Sequence, residues 1–179
     1  MNELIRAVCD HGANGACVIT TDRIVLSAEF RAICEGNGCG RYGRSWNCPP
    51  HIGDIEKLMQ TVGTYSHGIL YQTIGTLEDS FDFEGMMDAG RHHCEVAQAI
   101  HTNVLPLLPG SPLHLGSGGC YLCERCAILD QVPCRYPDRV TPPMEGYGIH
   151  VSKTCESTPL KYINGQNTVT YFGLILYNP

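Results

Sequence analysis

The sequence lacks the features that mark several large classes of protein. No apolar run approaches the roughly 18 residues of a membrane-spanning helix, so we expect no membrane insertion. Basic residues number 12 against 18 acidic ones, for a formal charge of −6, which gives no reason to expect nucleic acid or an anionic membrane surface as a partner. The glycine tract GSGG at 116–119 matches neither of the two patterns of phosphate-binding loops. We therefore expect no nucleotide site at this tract.

The first residues do not show the pattern of a secretory leader, and we expect none. The opening MNELIRAVCDHG carries Glu3 and Arg6 and has no apolar central region. We therefore expect a cytoplasmic protein, in a reducing compartment where clustered cysteines bind metal or do redox chemistry more often than they form disulfides. The 11 cysteines are an odd number, which argues against a closed disulfide framework. The 179 residues suffice for one domain, 1–179, without such staples.

Hydrophobic patterns predict strands that alternate with helices. An amphipathic helix is predicted before Gly12, and further helices over 49–63 and 82–108. A strand, a turn and a second extended piece are predicted over 15–30, and strands at 66–75, 111–119 and 167–177. The pattern indicates an α/β or α+β fold: a single layered domain with a central, mostly buried sheet flanked by helices and two cysteine-rich loops. It does not give the strand order.

The second cysteine-rich loop, residues 120–143, carries the sharper motif. Its four cysteines, spaced C-x2-C-x2-C-x7-C, are Cys120, Cys123, Cys126 and Cys134. Two successive two-residue gaps wrap the chain tightly around one metal centre and bring three thiolates to it, as in the C-x2-C-x2-C run of bacterial ferredoxins. Structural zinc sites more often place two C-x2-C pairs well apart. The spacing therefore favours a [4Fe-4S] cluster, and Cys134 either closes it or reaches a neighbouring cluster. GSGG is expected to let the backbone approach this cluster.

The first cysteine-rich loop, residues 34–50, reads CEGNGCGRYGRSWNCPP and holds Cys34, Cys39 and Cys48. Its four glycines allow the backbone to curl so that amide groups face a metal-bound sulfur. Arg41 and Arg44 can offset the negative charge of a thiolate-ligated cluster or bind an anion. Trp46 is either a core residue or a cover over the site. We call 34–50 and 120–143 the first and second modules, and we predict that both bind clusters.

Seven module cysteines fall one short of the eight thiolates that two fully ligated four-iron clusters require. Cys155, in a polar and loop-like segment, is a possible additional ligand, although a free cysteine is commonly a small buried hydrophobe. His51 or a non-protein ligand is a second possibility. The third is an iron left open as a Lewis acid for substrate.

These two modules resemble those of a known family, the predicted metal-binding proteins catalogued as domain of unknown function 2284, found largely in anaerobic bacteria and archaea. The matching stretches are CEGNGCGRYGRSWNCPP, GGCYLCERCAILDQVPCRYPDRVTPPMEGYGI and, less specifically, VLSAEFRAIC. The resemblance implies metal binding by the module cysteines, as iron-sulfur clusters, and no settled reaction. One departure, Pro143 in place of a frequent serine, affects no ligand.

Three functions are consistent with these observations. The first is an electron-transfer or redox accessory protein with two [4Fe-4S] clusters and a redox partner protein. The second is an enzyme whose open-site cluster, at Cys34, Cys39 and Cys48, performs Lewis-acid or sulfur-transfer chemistry on a small anionic molecule. The third is a structural module stabilised by zinc. The count of seven module cysteines favours an open site, whereas the lack of convincing acid-base residues favours electron transfer, which we place first.

Overall fold

The structure is a computed structural model that describes residues 2–179. Its one sheet has four antiparallel strands in the order β1-β2-β4-β3, so the fold is α+β. The strands are β1 (Gly15–Thr20), β2 (His67–Thr76), β3 (Leu113–Leu115) and β4 (Thr168–Tyr177). The helices are α1 (Asn2–Asp10), α2 (Glu29–Glu35), α3 (Ile55–Val62), α4 (Phe83–Asn103) and α5 (Val151–Cys155).

The two long central strands, β2 and β4, are covered on both faces of the sheet. Pairing runs from His67 opposite Tyr177 to Thr76 opposite Thr168, and successive side chains point to opposite faces. Ile69 and Tyr71 pack against α1 and α4, with Val8, Val96 and Ile100. On the other face, Leu70 and Leu174 belong to a second apolar cluster that includes Met144, Ile149 and Val151. The predicted buried sheet with flanking helices is confirmed.

Two element predictions need correction. The piece expected to be extended after β1 makes only an isolated bridge between Leu26 and Ile149, and the chain then turns into α2. The Oγ of Ser27 accepts a hydrogen bond from the Glu29 N–H at 3.3 Å, which supports that start. The helix expected from Pro49 onward begins only at Ile55, because Asp54 caps it by accepting from the Lys57 N–H at 3.2 Å. In the described residues, no helix is long and apolar enough to cross a membrane.

Both cysteine modules extend from the same side of this framework. The first lies between α2 and α3, and the second follows the edge strand β3. A backbone bridge joins Gly116 to Pro143, with Gly116 N–H donating to Pro142 O at 2.8 Å and Met144 N–H to Gly116 O at 3.0 Å. This bridge closes the second module into a loop. The 3₁₀ turn Met144–Tyr147 that follows it packs against α2 and α3, which brings the modules together.

Candidate metal centre

The first module collects its three thiols by a helix end and a curled loop. Cys34 lies in the last turn of α2, and Gly40 and Gly43 take positive φ values of 70° and 68°, which a residue with a Cβ rarely adopts. Burial raises the pKa of Cys48 to about 11, and the charges of Cys39 and Cys34 add to that rise. Burial and then Cys39 likewise raise the pKa of Cys34. The three thiols therefore share one electrostatic environment.

The second module arranges its four cysteines around one cavity. The sulfur-bearing residues Cys120, Cys123, Cys126 and Cys134 all line it. Its volume is about 20 Å³, close to the room that one water needs. Burial raises the pKa of Cys120, and the other three cysteines of the module raise it further. The spacing C-x2-C-x2-C-x7-C thus brings all four thiols to the same place, Cys134 included.

Residues of the first module complete the wall of this cavity. Ser45, Trp46 and Asn47 line it beside the four cysteines, and the Trp46 Nε1–H donates to Val132 O at 3.1 Å. Trp46 therefore covers the cavity of the second module. From the sequence, Trp46 was either a core residue or a cover over the site. Since Cys48 follows Asn47 directly, the two modules adjoin at one short segment.

Hydrogen-bond donors gather around Cys126. Burial alone would raise its pKa, but backbone N–H groups of Ile128, Trp46 and Ala127 and the Ser45 hydroxyl together lower it. Donors aimed at a sulfur favour its thiolate form. The thiolate is the form that binds metal, so this part of the loop is prepared for a metal-bound sulfur.

A buried amide also faces this region without a partner. Asn47 is 1% exposed; its Oδ1 accepts from the Ser45 hydroxyl at 2.6 Å and from the Cys48 thiol at 3.4 Å. Its Nδ2 has no hydrogen-bond partner. An unpaired buried donor costs about 1–3 kcal/mol, and a sulfur-containing group in the adjacent cavity would accept from it. The donor set of four thiols and this amide therefore fits an iron-sulfur cluster.

Arg41 lies between the modules, whereas Arg44 is exposed. The Arg41 guanidinium donates to Cys120 O at 3.5 Å and lies 5.2 Å from the centre of the Tyr121 ring. A Cβ on Gly119 would come within 2.7 Å of the guanidinium carbon. The glycine at the end of GSGG thus makes room for Arg41.

A larger pocket adjoins the second module on the α4 side. Its volume is about 450 Å³, and its walls include Arg91, Cys94, Gln98, Cys120 and Arg139. The Cys94 thiol lies 3.8 Å from Gly119 O. Burial raises the pKa of Cys94 to about 11, with Cys120 adding to the rise and Arg41 opposing it. An eighth cysteine therefore lies beside the second module.

Cys155, the residue named from sequence as a possible additional ligand, lies elsewhere. It is 3% exposed and belongs to the apolar cluster on one face of the sheet, together with Cys17. Burial, and after it the charge of Cys17, raises its pKa to about 11. Its segment is the short helix α5 instead of the polar loop that the sequence suggested.

Among residues 2–179 there is no group of three or more His, Cys, Asp or Glu side chains placed to hold a single metal ion.

Sequence inspection missed several residues of this region. Ser45 and Asn47 stand between the conspicuous Arg44, Trp46 and Cys48, and nothing in their spacing assigns them to the other module. Glu145 lies in the stretch PPMEGYGI, and its charge affects Cys34. Only the position of Glu145 inside a stretch shared with the resembled family could have drawn attention to it.

Comparison with known proteins finds a family match. The model of a family described as predicted metal-binding protein, DUF2284, matches residues 17–177. No curated protein matches the chain, and no solved structure matches it. The matched range contains both modules.

Proposed function

Because the chain belongs to the DUF2284 family of predicted metal-binding proteins, we propose that it binds two [4Fe-4S] clusters, one in each module, and transfers electrons to a partner protein. The observation that carries the proposal is the cavity lined by Cys120, Cys123, Cys126 and Cys134. Four thiols around a cavity suit a cluster, whose irons each take one thiolate. The buried Asn47 amide and the donors around Cys126 suit the sulfur atoms of such a cluster.

Electron transfer is supported by the way the modules adjoin. Cys48 of the first module directly follows Asn47 in the chain, and Asn47 lines the cavity of the second module. The second module also exposes four large apolar side chains, a surface that suits transient docking of a protein partner. They are Tyr121, Leu129, Val132 and Tyr136, each between 37% and 45% exposed.

The clusters, when bound, would supply one-electron chemistry, and the protein's own residues would set its conditions. The seven module cysteines would hold the irons. Asn47 would donate a hydrogen bond toward sulfur from its Nδ2, Ser45 would hold that amide in place through its bond to Asn47 Oδ1, and Arg41 would offset negative charge between the modules. Trp46 would exclude water from the second cavity. Hydrogen bonding, charge and solvent exposure are the terms that tune the potential of such clusters.

A second function, catalysis on a small anionic molecule, is favoured by the pocket beside Cys120. Its volume of about 450 Å³ lies within the range of small-molecule sites. Arg91, Gln98 and Arg139 line it and can bind a carboxylate or phosphate. The open iron of this alternative belongs to the three-cysteine first module, so this pocket supports the binding of an anion and does not by itself support the Lewis-acid step.

The proposal is tested by anaerobic purification followed by assays for iron, acid-labile sulfide and zinc, with EPR spectroscopy. We expect about eight irons and about eight sulfides per chain. Replacing Cys39 or Cys123 by serine should remove about four of each, while Cys9→Ser, in α1, should remove none. Zinc in stoichiometric amount with almost no iron would contradict the proposal and support a zinc-stabilised module.

A further inference from the structure

An open groove borders the cavity of the second module. Its volume is about 500 Å³, and most of its walls are apolar side chains, namely Trp46, Val132, Pro133, Pro137 and Val140. Three residues, Trp46, Cys134 and Val140, line both this groove and the cavity of the four thiols. A single layer of side chains therefore separates the two spaces. A molecule in the groove lies next to a cysteine of the second module.

The apolar surface continues beyond the groove. Val132, in its wall, is 45% exposed, and Tyr136, next to Pro137 in the chain, is 42% exposed. A small molecule in the groove would leave the surrounding apolar side chains in water. A protein would cover the groove and its rim together, and exposed apolar surface with a polar border is typical of protein docking sites. The shape of this surface therefore favours a protein as its occupant.

Three exposed arginines adjoin residues of the groove. Arg44 stands two residues before Trp46, Arg135 follows Cys134, and Arg139 precedes Val140. In the described part of the chain, none of the three forms an ion pair. Arg135 donates to Arg125 O at 3.0 Å, and Arg139 Nε donates to Gln98 Oε1 at 3.2 Å. These bonds hold two of the guanidinium groups in place and leave other donors for a partner.

The nearby acidic residues do not cancel this positive charge. Asp130 pairs with Arg125 at 3.0 Å, which leaves Glu124 and Asp138 against the three arginines. The two modules together hold five basic and four acidic residues, whereas the rest of the chain holds seven basic and 14 acidic ones. An acidic protein is therefore attracted to this surface and repelled by the remainder. The negative charge of a bound cluster would lie behind the surface, where Arg41 offsets it.

We infer that an acidic one-electron carrier protein docks in this groove, beside Cys134. The inference rests on the proposed function, because it names the partner of an electron-transfer protein. The arginines attract and orient the carrier, and apolar contact in the groove holds it against the wall that Trp46, Cys134 and Val140 share with the second cavity. One electron passes between the two proteins. The carrier is reduced, the second module is oxidised, and no bond forms or breaks.

Val132 offers a matched pair of variants, Val132→Glu and Val132→Lys. Both replace the same side chain by a charged one, and the backbone oxygen that accepts from Trp46 stays in place. The probe is an oxidised rubredoxin of acidic isoelectric point. Its binding to the oxidised, cluster-loaded protein, in which no electron moves, is measured by calorimetry at about 20 mM and about 500 mM salt. Phe81→Glu adds the same charge outside both modules, at a side chain that is 79% exposed.

The two charges should act in opposite ways on binding. We expect Val132→Glu to raise the Kd at low salt by about tenfold or more, and Val132→Lys by less than about threefold. Phe81→Glu should bind as the wild type does. The wild-type Kd should rise by about tenfold or more at the higher salt concentration. Stopped-flow rates of rubredoxin reduction should follow the same order, while an uncharged quinone should oxidise all the reduced proteins at equal rates.

The outcomes separate this inference from the proposed function. A wild type without iron-sulfur clusters, or a loaded wild type that reduces no carrier protein, would contradict the proposed function. A loaded wild type that reduces rubredoxin, but whose Kd is independent of salt or is changed equally by Val132→Glu and Val132→Lys, would overturn the groove assignment alone. Self-association in sedimentation that only Val132→Glu abolishes would also overturn it, because a second copy of the chain would then fill the groove. If Val132→Glu loses iron, Val132→Lys and the salt dependence of the wild type still decide.

Discussion

Replacing Ser45 by alanine tests the claim that the first module shapes the site of the second. Ser45 is 1% exposed, and its one hydroxyl proton is donated to Asn47 Oδ1 at 2.6 Å, which holds the Asn47 amide with its unpartnered Nδ2 available to a sulfur in the second cavity. A donor near a cluster sulfur stabilises the reduced form more than the oxidised form, because the reduced form carries more negative charge. Removing the Ser45 hydroxyl releases the Asn47 amide and should therefore lower the potential of the second-module cluster.

The size of this effect follows from the energy of one such hydrogen bond. A hydrogen bond to a charged group is worth about 1.5–3 kcal/mol. If about 1 kcal/mol of this differs between the two redox states, the potential falls by about 40 mV, since 59 mV corresponds to a tenfold change for one electron. The alanine variant should also be about 1 kcal/mol less stable, because Asn47 loses the donor to its Oδ1.

The measurement is an EPR-monitored redox titration of Ser45→Ala beside Ser152→Ala. Ser152 makes its hydrogen bond to His150, at 3.2 Å, and should leave both potentials unchanged. We expect the potential of the second-module cluster to shift in Ser45→Ala. Repeating the titration in a Cys39→Ser background, where the first-module cluster is expected to be lost, assigns the shift to the second module. Potentials that are equal in the two serine variants would refute the bridging role of Ser45.

Three further predictions concern the fold and its probes. The single tryptophan, Trp46, lines the second cavity, so its fluorescence should fall when the clusters are bound. The fluorescence should recover most fully in Cys123→Ser. Recovery only in Cys39→Ser would contradict this placement of Trp46. Gly173→Ala should lower the free energy of unfolding by about 3 kcal/mol, because the new methyl group would overlap the ring of Tyr71. Gly38 has open space around it, so Gly38→Ala should change the free energy of unfolding by less than about 1 kcal/mol. Denaturant titration measures both values. Burial lowers the pKa of His93 to about 4, from an ordinary value of 6.5, so the folded imidazole stays neutral near pH 6 while the unfolded one binds a proton. The free energy of unfolding should therefore fall by about 1 kcal/mol from this residue between pH 8 and pH 6, and His93→Gln should remove that share of the slope while the exposed His92→Gln should not.

The cysteine spacing and the strand patterns carried most of what the sequence could predict. The β-branched, aromatic and apolar runs in 66–75 and 167–177 correctly indicated β2 and β4, because a strand buried on both faces leaves a near-continuous run of such residues. The helix α2 escaped prediction because it has no buried residue, so no apolar period marks it. Strand order could not be predicted, since it depends on contacts between residues far apart in the chain.

For the site, the spacing of residues along the chain indicated which side chains come together within one module. It did not indicate which side chains of one module reach the other. Trp46, Ser45 and Asn47 belong by sequence to the first module and line the cavity of the second, an arrangement set by the Gly116–Pro143 bridge and the turn that follows it. Cys155 was singled out for its polar neighbours, yet Val151 and Thr154 of the same helix are buried with it. Such placements come from tertiary packing, which single-sequence patterns do not encode.

The central claim is that two adjoining modules each carry a four-iron cluster, and EPR of the fully reduced protein tests it most directly. Two clusters this close should interact magnetically. The account predicts a wild-type spectrum broadened by that interaction, which resolves into a simple single-cluster spectrum in Cys39→Ser and another in Cys123→Ser. A reduced wild type without any cluster signal, or with a spectrum equal to the plain sum of the two variants, would contradict the account.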